Sequence, residues 1–206
     1  MQRQISTIIF DLGGVLIDWN PEYVYLDVFN GDRKKMQWFF DNICTNEWNE
    51  NQDAGYPMAK ATEERIALFP EYEHLIRMFY GRWVDMLGNA LPKTVDILNK
   101  LIKSNNYKIV ALTNWSHETF PIALNRFDFL HRFEGIVVSG EEQTRKPFPE
   151  IYKITLKRYN ILAENSIFID DNLRNVTAAK ELGINGIHFK NASQLIEQLK
   201  QYNISI

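Results

Sequence analysis

Residues 8–16 read IIFDLGGVL, and this stretch sets the interpretation of the whole chain. It opens with three apolar residues typical of a buried strand, then changes abruptly to an aspartate, a leucine and a glycine pair. Three later runs have the same β-branched character and the same sudden polar ending: Ile109–Leu112, Ile136–Val138 and Ile167–Ile169. Continuous apolar runs of this length predict the strands of a parallel sheet that is buried on both faces.

Helical patterns separate the later strands. One helix opens at Pro92, a favoured first helical residue, and its apolar side chains share one face: Val95, Leu98, Leu101 and Ile102. Another is predicted from about Asn172 until Gly183 ends it. Strand alternating with helix over residues 88–206 predicts an α/β fold with a doubly wound, Rossmann-like parallel sheet.

Residues 18–87 break that alternation. This stretch is rich in Trp, Tyr, Phe and Met and has no convincing strand pattern. Helix-like segments lie near residues 21–30, 33–42, 57–68 and 71–86. We therefore predict an all-helical subdomain at residues 18–87, inserted into an α/β core domain formed by residues 1–17 and 88–206.

Composition excludes several classes of protein. With 206 residues, 45% of them hydrophobic, the chain can bury a sizeable core without disulfides or a structural metal. A net charge of −3 gives no electrostatic reason to expect nucleic acid or an anionic membrane as a partner. The single cysteine, Cys44, and a start (MQRQISTIIFD) without a signal-peptide pattern favour a cytoplasmic setting. No apolar run approaches the roughly 18 residues of a membrane-spanning helix.

Chemically active side chains follow the predicted strands. Asp11 comes after the first run, Thr113–Asn114 after the second, Lys146 in the segment after the third, and Asp170–Asp171 after the fourth. Because ligands of parallel sheets bind beyond the carboxyl ends of the strands, we expect these groups to lie at one edge. The carboxylates suit Mg²⁺, and the lysine and hydroxyl suit a phosphate.

Charge gives a physical reason for this mixture. If Asp11 attacks a phosphoryl group, each pair of negative charges at about 4 Å costs roughly 4 kcal/mol at an effective dielectric constant near 20. A magnesium ion held by Asp11 and the Asp170–Asp171 pair would cancel much of that repulsion, while Lys146 and Thr113 orient the phosphoryl oxygens. Asp11 would then form an aspartyl-phosphate that water hydrolyses.

Four motifs in this order resemble the haloacid dehalogenase (HAD) superfamily, in the branch with a helical cap. They are Ile9–Asp11, Leu112–Asn114, Lys146–Pro147 and Phe168–Asp171, and the resemblance extends over essentially the whole chain. Within the superfamily the chain is most similar to small bacterial sugar-phosphate phosphatases that carry an Asp-Leu-Gly first motif.

The resemblance implies a Mg²⁺-dependent phosphatase that hydrolyses a small phosphorylated metabolite, with a sugar phosphate as the expected substrate. Asp11 would be the nucleophile, and the expected substrate-binding residues are Thr113, Asn114 and Lys146. The expected metal ligands are Asp11, the main-chain carbonyl of Gly13, Asp170 and Asp171. Whether the protein is a monomer or a homodimer is left open.

Gly13 departs from the family pattern, in which most phosphatases carry a second aspartate that protonates the leaving group. General acid–base catalysis contributes about 10²- to 10⁴-fold, so the cap or the substrate must supply the proton, or turnover is slow. One alternative is a non-catalytic module that binds phosphate and metal. Another is a 2-haloacid dehalogenase of the same fold, although such enzymes need no metal, which makes the paired acids Asp170 and Asp171 harder to explain.

Other residues have weaker expectations. The polar, turn-prone segment Asn51–Gly55 is the part of the cap that we expect to face the active site. Trp19 is expected either to line the substrate pocket or to belong to the core. His117 is expected to face solvent, and Cys44 to be a buried, unreactive thiol.

Overall fold

The computed structural model describes residues 4–204. Its strands, in chain order, are β1 (Thr7–Phe10), β2 (Ile17–Trp19), β3 (Leu87–Ala90), β4 (Lys108–Thr113), β5 (Gly135–Val138), β6 (Ser166–Asp170) and β7 (Asn185–His188). Its α-helices are α1 (Glu22–Val28), α2 (Arg33–Asn42), α3 (Asn46–Asp53), α4 (Met58–Leu68), α5 (Glu73–Gly81), α6 (Trp83–Met86), α7 (Pro92–Ser104), α8 (Phe120–Arg126), α9 (Ser139–Glu142), α10 (Pro149–Arg158), α11 (Leu173–Glu181) and α12 (Ala192–Gln201).

Five strands form a parallel sheet in the order β5-β4-β1-β6-β7. The first strand lies at the centre, and Ile9 is paired with Val110 on one side and with Phe168 on the other. All four predicted strands are therefore confirmed, and the chain has the predicted Rossmann-like α/β core. The strand β7 was missed because Asn185–His188 contains one strongly apolar residue, too few for a recognisable run.

Both faces of the sheet are covered by apolar side chains. Ile8 and Phe10 of β1 belong to one hydrophobic cluster, whereas Ile9 between them belongs to another. Side chains alternate between the faces of a strand, so a strand covered on both sides needs apolar residues at every position. The helices predicted at Pro92 and after Asn172 are present as α7 and α11, and Gly183 just beyond α11 has φ +82°.

Helices α1–α6 have a core of their own. Its centre is aromatic: Tyr25 and Phe39 are fully buried with ring centroids 5.3 Å apart, and Phe79 packs against both Tyr25 and Trp48. Cys44 lies in the same cluster, as expected for a small buried side chain. Much of the aromatic content of the chain therefore stabilises this helical insertion.

Three local expectations for residues 18–87 were wrong. The insertion begins and ends in strands, because β2 and β3 pair as an antiparallel ribbon. The segment 71–86 is divided between a 3₁₀ turn at Pro70–Tyr72 and the separate helices α5 and α6. Residues 51–53 form the last turn of α3 instead of a loop, and only Ala54 and Gly55 leave the helix, Gly55 with φ +96°.

Among residues 4–204, no helix has both the length and the apolar character needed to cross a bilayer.

Candidate active site

Asp11 follows β1 at the centre of the sheet edge and is 7% exposed. One carboxylate oxygen accepts a hydrogen bond from the Leu12 backbone N–H at 2.7 Å. The other lies 2.8 Å from the Nζ of Lys146. The carboxylate is thus held in place on both sides, which is what a nucleophile needs for attack from a fixed direction.

Lys146 is completely buried and touches three oxygen atoms. Its Nζ lies 2.8 Å from Asp11, 2.7 Å from Asp170 and 3.0 Å from the carbonyl oxygen of Leu112. A buried ammonium is costly unless it is paired and its donors are satisfied, and these three contacts meet both conditions. Lys146 is therefore the counter-ion that allows two carboxylates to share this edge of the sheet.

Asp170 ends β6 and is also fully buried. Its oxygens accept hydrogen bonds from the Asn172 backbone N–H at 2.7 Å and from the Asn175 side-chain amide at 3.1 Å. Asp171, the next residue, is exposed at the surface of the site. The two neighbouring acids therefore occupy different environments, one enclosed by donors and one open to solvent.

Burial and like charge act together on these acids. Burial raises the pKa of Asp11 well above its usual range, Asp170 adds to the effect, and Lys146 opposes it. The pKa of Asp171 is also raised, first because its carboxylate is partly desolvated although the residue as a whole is exposed, and then because of the charge of Asp170. Burial alone would lower the pKa of Lys146, but the charges of Asp11 and Asp170 raise it overall. The site thus favours additional positive charge beside its acids.

The acidic cluster fits a divalent cation. Asp11, Asp170 and Asp171 each offer a carboxylate oxygen, and the three oxygens lie within 4.8 Å of one another. Hard oxygen ligands at this spacing suit Mg²⁺. The arrangement therefore supports the predicted cofactor.

The two glycines after the nucleophile have different roles. Gly14 has φ +70°, and a Cβ added there would lie 2.2 Å from a carboxylate oxygen of Asp171, so only glycine fits. Gly13 lacks a positive φ, and a Cβ added to it would meet no heavy atom within 4 Å beyond its chain neighbours. The backbone therefore requires glycine at position 14 but leaves room for a side chain at position 13.

Thr113 and Asn114 follow β4. The hydroxyl of Thr113 is fully buried and has no hydrogen-bond partner among the described residues. The side chain of Asn114 bonds the backbone of Lys146 in both directions, accepting from its N–H at 2.8 Å and donating to its carbonyl oxygen at 3.0 Å. Thr113 thus has a free donor, and Asn114 holds the lysine segment in place; their binding of substrate stays a prediction.

A cavity of about 90 Å³ opens between this edge and the helical insertion. Its lining combines three tryptophans with a glycine and three polar residues from both parts of the chain: Gly13, Trp19, Asn49, Asp53, Trp83, Asn114 and Trp115. A larger cavity of about 730 Å³ runs along α3 and α4, away from the acidic cluster. The smaller one borders the predicted site. Of the segment Asn51–Gly55, only Asp53 lines it, whereas Asn51, Gln52, Ala54 and Gly55 line the larger cavity, so the expectation for this segment holds for Asp53 alone. His117 is exposed, as expected.

Helix α3 is anchored to the core by charged and polar contacts. Glu50 pairs with Arg145 at 2.7 Å, both side chains being 11% exposed, and with Arg174. The Oγ of Ser139 donates to the carbonyl oxygen of Asp53. Sequence reasoning missed Glu50, Arg145 and Arg174; the position of Arg145 beside Lys146 was the only available signal.

Comparison with known proteins identifies the family. A family model described as haloacid dehalogenase-like hydrolase matches residues 8–189. A sesquiterpene phosphatase of Aspergillus oryzae is 39% identical over 98% of this chain and 98% of its own length. A phosphatase of phosphorylated carbohydrates from Thermotoga maritima is 24% identical over 89% of this chain and 84% of its own.

A solved structure shares the fold. It is a HAD family enzyme from Bacteroides thetaiotaomicron in complex with magnesium and inorganic phosphate. The TM-score is 0.66 at 22% identity, and the match covers 93% of this chain and 98% of that one. The aspartate after the central strand, the buried lysine, the paired acids and the full-length matches lead to one conclusion: this chain belongs to the haloacid dehalogenase-like hydrolase family.

Proposed function

We propose that the protein is a Mg²⁺-dependent phosphatase that acts through an aspartyl-phosphate on Asp11. One observation carries the proposal: Asp11 contacts a fully buried lysine and shares a cluster of three carboxylates at the centre of the sheet edge. Phosphoryl transfer consists mainly of positioning and charge neutralisation, and this arrangement supplies both. The phosphatases among its relatives support the same activity.

Each residue has a role in this proposal. A carboxylate oxygen of Asp11 attacks phosphorus, and the free hydroxyl of Thr113 binds a phosphoryl oxygen. Lys146 binds another phosphoryl oxygen in exchange for one of its three present contacts. Asn114 holds the backbone of Lys146 in register. The metal ligands are Asp11, Asp170, Asp171 and the carbonyl of Gly13, and the bound Mg²⁺ would neutralise the charge that develops on the phosphoryl group.

We propose residues 18–87 as a cap that excludes water during transfer. The contacts of Glu50 with Arg145 and Arg174 hold this part of the chain against the core. Opening for substrate entry requires these ion pairs to separate, as in other enzymes with a lid.

We also assign the protein to the cytoplasm, because the one cysteine of the chain is free and buried, which suits a reducing compartment.

A sugar phosphate is the substrate that the cavity favours. Trp19 and Trp115 line it, and their indole N–H groups are buried without hydrogen-bond partners among the described residues. Buried donors require acceptors, and the hydroxyl oxygens of a sugar provide them. The relative from Thermotoga maritima, a phosphatase of phosphorylated carbohydrates, points to the same substrate class.

An apolar alcohol phosphate is a second candidate. The rings of Trp19, Trp83 and Trp115 give the same cavity an aromatic lining, which would contact a hydrocarbon chain. The relative from Aspergillus oryzae, named a sesquiterpene phosphatase, favours this possibility. The two candidates differ in whether the indole donors or the indole faces bind the substrate.

The direct test is phosphate release from a panel of sugar phosphates and a sesquiterpenyl phosphate, with Mg²⁺ and with a chelator. We expect turnover that needs Mg²⁺ and is lost in Asp11→Asn. The matched control is Asp128→Asn, which removes an exposed carboxylate outside the four motifs and should retain full activity. Activity that survived either chelation or Asp11→Asn would refute the mechanism.

Two alternatives give different outcomes in the same assays. A 2-haloacid dehalogenase would release halide from 2-chloropropionate without any divalent ion. A non-catalytic module would bind inorganic phosphate and Mg²⁺ but release no phosphate from any member of the panel.

A further inference from the structure

Phosphate-ester cleavage leaves a proton to be supplied. The departing alcohol of a sugar phosphate would leave as an alkoxide at neutral pH unless a nearby acid protonates its oxygen. Gly13, two residues after the nucleophile, has no side chain to do so. Of the described residues that line the 90 Å³ cavity, Asp53 is the one whose side chain titrates.

Asp53 is held at the cavity from several directions. It is the last residue of α3, and its backbone carbonyl accepts a hydrogen bond from Ser139, whose Oγ in turn accepts from the Trp115 N–H at 2.8 Å. Its carboxylate accepts from the Asn49 amide at 3.2 Å and from the Ser116 backbone N–H. A carboxyl group from the helical insertion is therefore fixed to the loop that follows β4.

The surroundings of Asp53 suit a proton donor. Burial raises its pKa to about 7, Glu50 contributes to the rise, and Arg145, the Ser116 N–H and Lys146 lower it in part. Tyr80 is a further titratable neighbour, and the charge of Asp53 helps to raise the pKa of its hydroxyl. A general acid is most effective when its pKa lies near the working pH.

We propose that Asp53 is the general acid and base of the reaction, supplied by the insertion in place of a side chain at Gly13. The inference rests on the proposed function. In the first step an Asp11 oxygen forms a bond to phosphorus, the bond to the leaving oxygen breaks, and the Asp53 carboxyl proton transfers to that oxygen. In the second, a water oxygen attacks the aspartyl-phosphate, its proton returns to Asp53, and the bond between phosphorus and Asp11 breaks.

This assignment makes the proton donor part of the cap. Because Asp53 follows Glu50 by less than one helical turn, the ion pairs that anchor α3 also fix the carboxyl group at the cavity. A substrate would then meet its acid only when α3 is docked on the core. Protonation of the leaving group and exclusion of water thus depend on the same contacts.

The test compares two leaving groups in Asp53→Asn, which keeps the size of the side chain. An alkyl leaving group such as that of a sugar phosphate needs the acid, whereas the leaving group of p-nitrophenyl phosphate departs without one. We expect kcat/KM to fall by about 10²- to 10⁴-fold for the sugar phosphate and by less than about tenfold for the aryl phosphate. Glu47→Gln, an exposed acid on the same helix, is the matched control and should leave both values unchanged.

The pH profile gives a second readout that a merely structural role would not alter. Protonated Asp53 is the active form in the first step, so wild-type kcat/KM for the sugar phosphate should fall as pH rises above about 7. That limb should be absent in Asp53→Asn. If Asp53→Asn fails to fold by circular dichroism, Asp53→Ser is measured by the same criteria.

The outcomes separate the two proposals. Equal losses for both substrates, or no loss at all, in a variant of Asp53 would overturn the role of Asp53 while leaving the phosphatase intact. Full activity in Asp11→Asn would overturn the proposed function itself. Selective loss with the alkyl substrate, together with a missing alkaline limb, supports the assignment.

Discussion

Lys146→Met removes the positive charge that pairs with the buried carboxylates of Asp11 and Asp170. The Nζ of Lys146 lies 2.8 Å from Asp11 and 2.7 Å from Asp170, so each contact contributes about 6 kcal/mol of Coulomb attraction at an effective dielectric constant near 20, before desolvation. Desolvation of the ammonium offsets much of this attraction. Removing one partner of a buried ion pair nevertheless leaves uncompensated charge and costs about 3–5 kcal/mol.

Urea denaturation in the presence of a chelator measures this cost. We expect the free energy of unfolding of Lys146→Met to be about 3–5 kcal/mol below that of the wild type. The control is Lys153→Met, which replaces an exposed lysine of α10 and should change the value by less than about 0.5 kcal/mol. If the two variants were equally stable, the view of Lys146 as the counter-ion of the site would be wrong.

Three further predictions concern the hydroxyl, the acid and the metal. Thr113→Val should raise KM about tenfold and change the free energy of unfolding by less than about 1 kcal/mol, because the lost hydroxyl has no partner among the described residues; steady-state kinetics and urea denaturation check this. Gly13→Asp introduced into Asp53→Asn should restore kcat/KM for a sugar phosphate at least about tenfold, since position 13 has room for a side chain, and no recovery would show that the loss is not one of a carboxyl group. Asp171→Asn should weaken Mg²⁺ binding by about tenfold or more in calorimetry, and unchanged affinity would exclude Asp171 as a ligand.

The core of the fold could be predicted because its strands are buried on both faces. Each of the four apolar runs is interpretable without knowledge of its neighbours, and all but Ile136–Val138 are followed directly by a candidate site residue. Strand β7 could not be found in the same way, because Asn185 and Gly186 occupy half of it. Its place in the sheet comes from pairing with β6, a contact that leaves no local pattern.

Helix α3, in the insertion, also lacks a local sequence pattern from which it could be predicted. Its sequence, NEWNENQD, is almost entirely polar and lacks the apolar stripe of an amphipathic helix. The Oγ of Thr45 caps it by accepting from the Trp48 N–H, and burial of Trp48 and Glu50 against other elements stabilises it. Tertiary packing therefore decides its structure more than local propensity does.

Some residues of the candidate site could likewise be predicted from the sequence, and others could not. The groups at the strand ends were predictable because the sheet topology brings them together. The contact between Glu50 and Arg174 joins residues 124 positions apart, and single charged residues at such separation produce no periodic signal. The approach of Asp53 to the cavity depends on those contacts, so the sequence indicated the segment but not the carboxyl group.

Rapid acid quench during turnover, followed by mass spectrometry of the proteolytic peptides, tests the central claim most directly. We predict one phosphoryl group on the peptide that contains Asp11, formed in the presence of Mg²⁺ and substrate and absent from Asp11→Asn. Release of phosphate by Asp11→Asn at the wild-type rate, or a phosphoryl group on a different peptide, would contradict the account.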